Sequence, residues 1–424
     1  MPHQPAGAPT LVVPSLPLIA GAQRMSMDTA STSIGRRDFL TGSLIAAGAI
    51  RPSAVRGSQA NSAITLGMIG CGGRGTWIAD LFEKSGKFRL VACADYYQDR
   101  ADAFGERFRI DRSRRHTTLS GYKRLLDGAV DAVAIETPPW FHPSQTADAV
   151  AAGKHVFLAK PIAVDVPGCL SVAESGRRAT RARRVLLVDF QTRANHVFIE
   201  AVRRVHQGAI GRLISAQVAY LWPGLVHDAP LSSPEDRLRL WYQNRALCGD
   251  IIVEQDIHTL DVATWFANSD PVSAVGTCGR GVRHTGDIHD HFAVNFQFPD
   301  GFVVSFLSQK GVPSIPDEMR CRVFGTEGVA DTEYAGLVTI TGRHPFPGGR
   351  TPDMYTSGAV RNIQEFHRRI AGREYDNPTV APSVRSNLTC VLGRTAAYRR
   401  MEVTWKQMLS SGQALKPDLS GLRA

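Results

Sequence analysis

The sequence predicts an α/β protein with an N-terminal doubly wound parallel sheet and a C-terminal α+β domain built on a mostly antiparallel sheet. Three observations carry this expectation. Strand and helix patterns alternate from Ala63 to Phe190, a glycine-rich turn joins the first strand to the first helix, and from Leu213 the pattern changes to closely spaced strands. The chain has 424 residues, 43% of them hydrophobic and 21% charged, which is enough for two domains of ordinary size, each with its own core.

The first 60 residues are set apart as a leader. Gly35-Arg36-Arg37-Asp38-Phe39-Leu40-Thr41 precedes a weakly apolar run, Gly42 to Ile50, and then a small-residue stretch that reaches Ala60. That order matches a twin-arginine export signal, with cleavage after Ala54 or Ala60 and a start at Met25 or Met27 in place of Met1. It implies a periplasmic or secreted protein. The apolar run is far shorter than the roughly 20 residues of a membrane span. The formal charge of +10 is scattered through the helices rather than gathered into a block with interleaved aromatics, which argues against nucleic acid as a partner. Seven cysteines with no C-x-x-C pair read as small buried residues rather than as a disulfide framework.

Residues 61–190 form the first predicted domain. The strand Ile64 to Ile69 runs into Gly70-Cys71-Gly72-Gly73-Arg74-Gly75, and a helix follows from Thr76 to Glu83. This is G-x-G-x-x-G in the strand–turn–helix context that a dinucleotide site needs. Gly70 permits the tight turn, Gly72 lets the backbone approach a pyrophosphate, Gly75 lets helix lie close to strand, and the helix N-terminus faces the anion. The second strand, Phe88 to Ala94, ends in Asp95, about 20 residues beyond the turn, where a carboxylate accepts from ribose hydroxyls. Asp95 repels a 2′-phosphate, and Tyr96-Tyr97 supplies no arginine to bind one, so NAD is expected over NADP. The alternation continues through strands at Asp131–Thr137, His155–Lys160 and Arg184–Phe190, with helices at Pro143–Ala152 and Val166–Ala179.

Beyond this point two segments carry a family resemblance. One is Thr137-Pro138-Pro139-Trp140-Phe141-His142-Pro143 followed by Lys160-Pro161; the other is Gly249 to Asp261, with Glu254, His258 and Asp261 at helical spacing. Here the chain resembles the glucose-fructose oxidoreductase / inositol dehydrogenase / MocA family over roughly residues 62 to 410. The family usually shows Glu-Lys-Pro, with Ala159 here in place of the Glu, and an Asp where this chain has Glu254. The resemblance implies catalytic roles for Lys160, His258 and Glu254, with cofactor contacts along Gly70–Gly75, Asp95, Thr137, Pro138, Pro139, His142, Lys160 and Pro161. It also implies a sugar or polyol substrate and a homodimer or homotetramer that uses an open sheet face. If 254–261 is one helix, Glu254, His258 and Asp261 share a face. Glu254-x-x-x-His258 also looks like half a metal site, but no third ligand stands at motif spacing, so no metal is expected.

The second domain is predicted over 191–410, with a tail at 411–424. Strands are expected at Leu213–Trp222, Val272–Cys278, Phe292–Phe298, Phe302–Ser308 and Arg320–Phe324, with a hairpin turn at Pro299-Asp300-Gly301. Helices follow at Val360–Ile370 and Arg385–Met408, and residues 358–410 are candidates to pack back on the first domain. Trp140, Arg193, Trp241, Tyr242 and Asp261 are candidate substrate contacts, since indole and phenol rings stack on sugars. Ordinary core aromatics and a surface arginine remain the alternative. His289-Asp290-His291 reads as a polar turn. Three functions stay open: a sugar oxidoreductase with tightly held NAD, a redox-neutral glycosidase or epimerase working through a transient keto-sugar, and a sugar-binding protein without catalysis.

Overall fold

The computed structural model describes residues 63–225 and 228–424. The leader and its twin-arginine motif lie outside the described residues. The chain order is β1 (Ile64–Ile69), α1 (Gly73–Lys84), β2 (Phe88–Asp95), α2 (Gln98–Arg107), β3 (Arg115–Thr117), α3 (Gly121–Asp127), β4 (Ala132–Ile135), α4 (His142–Ala151), β5 (His155–Ala159), α5 (Val166–Arg181) and β6 (Leu186–Asp189). These six strands make one wholly parallel sheet in the order β3-β2-β1-β4-β5-β6. The order steps outward from β1 in both directions. The crevice at the carboxyl ends of β1 and β4 is therefore the place where such a sheet receives a ligand.

The second half continues with α6 (His196–His206), β7 (Leu213–Trp222), α7 (Pro234–Arg239), α8 (Arg245–Cys248), α9 (Ile251–Glu254), α10 (Ile257–Ala267), β8 (Ser273–Gly279), β9 (His291–Gln297), β10 (Val303–Lys310), β11 (Glu318–Gly325), β12 (Gly328–Glu333), β13 (Leu337–Gly342) and β14 (Phe346–Arg350). It ends with α11 (Met354–Gly372), α12 (Val380–Arg399), β15 (Val403–Thr404) and α13 (Trp405–Ser411). Its sheet has nine strands, antiparallel except where β7 runs parallel to β10. Burial alternates along β9 and β10, so one face packs under α10 and α12 while the other stands open with Val275, Val303 and Leu307 exposed. The hairpin between β9 and β10 turns at Asp300 and Gly301, both at positive φ.

Helix α11 sends Ala359, Ile363 and Phe366 into the core that Phe82, Phe88 and Phe157 form on one face of the parallel sheet. It is longer at both ends than the apolar pattern 360–370, because its first turn is anchored by the fully buried Met354. The predicted helix 385–408 is instead two helices with a short strand between them. Arg400 takes positive φ and ends α12, and Val403–Thr404 then pairs with β8. Among the described residues no helix is long and apolar enough to cross a membrane, and all seven cysteines are buried and free.

Candidate active site

The glycine turn has the geometry that backbone approach to a pyrophosphate demands. Gly70 sits at φ +97, and a Cβ there would lie 2.7 Å from the backbone of Glu136. One at Gly75 would lie 1.9 Å from the carbonyl oxygen of Gly70. At Gly72 the nearest atom is an Arg100 nitrogen 3.7 Å away, and at Gly73 there is nothing within reach, so this side of the turn faces open space. No side chain caps the N-terminus of α1 and no acid occupies its first turn, leaving its amides and dipole for an anion. The Asp95 carboxylate accepts from Cys71 N at 2.7 Å and Tyr97 N at 3.0 Å. Burial raises its pKa against the pull of those amides. These residues fit a dinucleotide: an uncapped helix end for the phosphates, and a fixed carboxylate for the adenosine ribose.

From that end a cavity of about 340 Å³ runs along the strand ends past Glu136, Thr137 and Pro138 to Trp241 and Tyr242. Lys160, just past the end of β5, directs Nζ to the Glu254 carbonyl at 2.7 Å and to its carboxylate at 3.3 Å. His258 is buried, with its ring edge-on to Tyr334 at 5.2 Å and Nδ1 without a partner. Burial, and then the cations of Lys160, Arg74 and Lys310, hold its imidazole well below the usual pKa, so it is neutral in neutral solution. A lysine and a carboxylate thus pair directly, and a neutral imidazole lies close enough to feel the lysine charge.

The profile of an oxidoreductase family with an NAD-binding Rossmann fold matches residues 64–190, and that of the GFO/IDH/MocA C-terminal domain matches residues 198–331. The chain belongs to the Gfo/Idh/MocA oxidoreductases. An inositol 2-dehydrogenase of Rhizobium meliloti (strain 1021) is 26% identical over 353 residues, which is 79% of this chain and 96% of the relative. A 1,5-anhydro-D-fructose reductase of Ensifer adhaerens is 29% identical over 232 residues, 50% of this chain and 62% of that one. The aldose-aldose oxidoreductase of Caulobacter crescentus, solved with glycerol, shares the fold with a TM-score of 0.64 at 22% identity, covering 81% of this chain and 99% of that one. A levoglucosan dehydrogenase solved with NADH and levoglucosan has the same TM-score at 19% identity, over 81% of this chain and 100% of that one.

Within this Gfo/Idh/MocA oxidoreductase several expected contacts lie elsewhere. Glu254, His258 and Asp261 do not share one helical face. The amide of Asp256 donates to Ile251 O, a five-residue step that ends α9 and restarts the chain as α10. The extra residue rotates Asp261 out of line with Glu254. Asp261 is wholly buried and accepts from Arg193 Nε at 2.9 Å and Ser386 Oγ at 2.7 Å, while Arg193 lies over Trp265. These two expected substrate contacts therefore hold each other. His142 is also buried, with its nitrogens 2.7 Å from the carbonyl oxygens of Thr137 and Pro161, and burial lowers its pKa to about 4. It ties together the two loops that flank the crevice instead of facing it. Trp140 gives its indole N–H to Leu415 O at 2.9 Å. Trp241 and Tyr242 stack at 3.7 Å and line the cavity.

Other residues in the site carry no motif. Arg74 turns away from the phosphate side, placing Nη2 2.5 Å from Asp189, Nη1 2.5 Å from the Tyr355 hydroxyl and Nε 3.3 Å from Glu136. Glu136 follows β4 where Ala159 ends the neighbouring β5, one step past the Ile135–Leu158 pair. A carboxylate therefore stands beside the strand of Lys160 even though position 159 is alanine. Burial pushes Glu136 up to about 7 against the pull of Arg74. At the ribose end Tyr96-Tyr97 itself supplies no arginine, but two from elsewhere flank the ring of Tyr97, Arg100 at 4.8 Å and Arg239 at 4.2 Å. Arg100 signalled itself only by lying five residues past Asp95, and Arg239 comes from α7 in the other half of the chain. Among the described residues no three His, Cys, Asp or Glu side chains are placed to hold a metal ion.

Proposed function

We propose that this oxidoreductase moves a hydride between a carbinol carbon of a sugar or polyol and a tightly held NAD, which supplies the acceptor carbon when bound. The observation that supports the reading is the Lys160 side chain held by Glu254, with a neutral His258 close enough for the Lys160 charge to act on it. Lys160 holds the substrate hydroxyl oxygen by hydrogen bonding. His258, uncharged and with a free ring nitrogen, takes the hydroxyl proton as the C–H bond breaks, and returns it in the reverse direction. Glu254 fixes Lys160 and accepts from a neighbouring hydroxyl, while Trp241 and Tyr242 pack against the sugar ring. Inositol, 1,5-anhydro-D-fructose and levoglucosan in the names of the relatives support this substrate class. Asp95 supports NAD over NADP. The twin-arginine pattern supports export of the folded protein, and a cofactor that stays bound through each cycle suits a compartment without a dinucleotide pool.

The test is to denature and filter the purified protein, assay released dinucleotide, and follow reduced-nicotinamide absorbance of the native protein against a panel of polyols, sugars and glycosides. Stoichiometric NAD with substrate-dependent reduction supports the reading. Transient reduction with no net oxidation of any sugar redirects it to a redox-neutral lyase or epimerase cycle. An empty protein that added NAD does not make reducible overturns it.

A further inference from the structure

The segment that follows α13, residues 412–424, forms no helix or strand, yet it is held at both ends and in the middle. At its near end Leu415 donates its amide to Asp165 Oδ2 at 2.7 Å and accepts from the indole of Trp140 at 2.9 Å. In its middle the Asp418 carboxylate and the Ser420 carbonyl receive the guanidinium of Arg237 on α7. At the far end Arg423 donates its amide to the Tyr96 hydroxyl and its guanidinium to the Tyr96 carbonyl, each at 3.2 Å, and its own carbonyl accepts from Leu119 N at 3.1 Å. Leu422 packs on a small cluster of Tyr96, Tyr97, Leu238 and Leu247 that is separate from the two large cores.

None of residues 412–424 lines the crevice, but the element they clamp does. Helix α7 brings Leu238 and Arg239 to the cavity wall opposite Asp95, Tyr96, Tyr97 and Leu119. The first domain holds that helix through Tyr97 Oη to Glu235 O at 2.5 Å, Tyr96 Oη to the Glu235 carboxylate at 3.2 Å, and Asp99 to Arg239 Nη2 at 3.6 Å, with Arg239 also over the Tyr97 ring. Tyr96 and Tyr97 belong to the ribose end of the crevice. The segment bridges the two sides of that wall, since Arg237 joins it to α7 while Arg423, Leu422 and Leu415 join it to the first domain.

We propose that residues 412–424 are a positioning strap for the dinucleotide site, fixing α7 over the adenosine half and so setting how slowly bound dinucleotide departs. This rests on the reading that the crevice holds a dinucleotide. Entry occurs through transient opening of the same wall, so the strap acts mainly on the dissociation rate, the usual place for affinity differences within one site.

The experiment loads the protein with NADH, adds a large excess of NAD+ as chase and follows the loss of bound-NADH fluorescence. It compares the full chain, a chain ended after Gly412, Arg237→Gln and Trp140→Phe. Release is expected about tenfold faster from the shortened chain and about threefold faster from each point variant, with association rates within about twofold. Arg237 is a part-exposed surface side chain, so its variant tests the strap even if the shortened chain fails to fold. Thermal melting without dinucleotide separates a loosened strap from general destabilisation: the release rate moves while the melting point of Arg237→Gln does not. Equal release rates in all folded variants overturn the strap and leave the dinucleotide reading standing. A full chain that binds no NADH overturns both.

Discussion

The two ends of the crevice are built by different means. At the ribose and phosphate end the determinants are backbone: a positive-φ glycine, two glycines pressed to within contact of neighbouring main chain, and a carboxylate tied to two amides. At the substrate end they are side chains from distant stretches, Arg74, Glu136, Lys160, Asp189, Glu254, His258 and Tyr355, several of them charged and buried. The first end has no room for a Cβ at Gly70 or Gly75. The second depends on chemistry, because each buried charge there is tolerable only while its partner remains.

The largest effects should therefore divide the two ends cleanly. Lys160→Ala and His258→Ala should each lower the hydride-transfer rate by about 10²–10⁴ while dinucleotide binding persists, as measured by single-turnover absorbance beside fluorescence titration. Loss of dinucleotide binding in Lys160→Ala would mean that the ends are not separable.

Glu136 gives a test of the buried charge itself. Its carboxyl is raised to about 7 from the ordinary 4.5, so the folded protein binds this proton more tightly than the unfolded chain does. The sign follows: the contribution is fully present below the unfolded pKa and is lost as pH rises through the folded one. Wild type should lose ~3 kcal/mol relative to Glu136→Gln between about pH 4.5 and pH 8, read from urea unfolding of both proteins. A constant difference across that range would show that Arg74 and Lys160 keep Glu136 ionised throughout.

Gly75→Ala probes the backbone end. Its Cβ would overlap the Gly70 carbonyl at 1.9 Å, so α1 must move off the turn. That should cost about 1–3 kcal/mol of stability and weaken dinucleotide binding far more than it slows hydride transfer in the fraction that is loaded. Calorimetric melting and binding titration check the two parts.

This contrast also explains what could be read in the sequence. The parallel half was legible because strand, glycine turn, helix and acidic strand end are local patterns, and each of the β1, β2, β4, β5 and β6 segments announced itself by composition. Lys160 and Glu254 were nameable because each sits in a motif. Glu136 and Arg74 were not seen as partners, since their relation exists only once β1 and β4 lie side by side. The break at Asp256 was invisible because the apolar spacing runs through it, while Asp256 pairs with a buried Lys310 on β10, distant in sequence, at 2.9 Å. Strands β12 to β14 escaped the pattern because they are short and carry Gly328, Pro347, Gly348 and Gly349, residues that weaken any strand signal.

The smallest effect concerns cofactor choice, where both kinds of construction meet. Asp95 is fixed by backbone amides and repels a 2′-phosphate, whereas Arg100 and Arg239 bring two cations to the ring of Tyr97 beside it. Removing the carboxylate should leave those cations in control. Asp95→Ser is expected to shift the NADPH to NADH affinity ratio by about tenfold toward NADPH, near 1.4 kcal/mol. Adding Arg239→Ala to it should return roughly threefold of that shift, because the cation contributed by α7 is then gone while Arg100 remains. Fluorescence titration of both reduced dinucleotides gives the ratio directly. If Arg239→Ala leaves it unchanged in the Asp95→Ser background, the α7 arginine serves only to stack on Tyr97 and the preference is set entirely within the first domain.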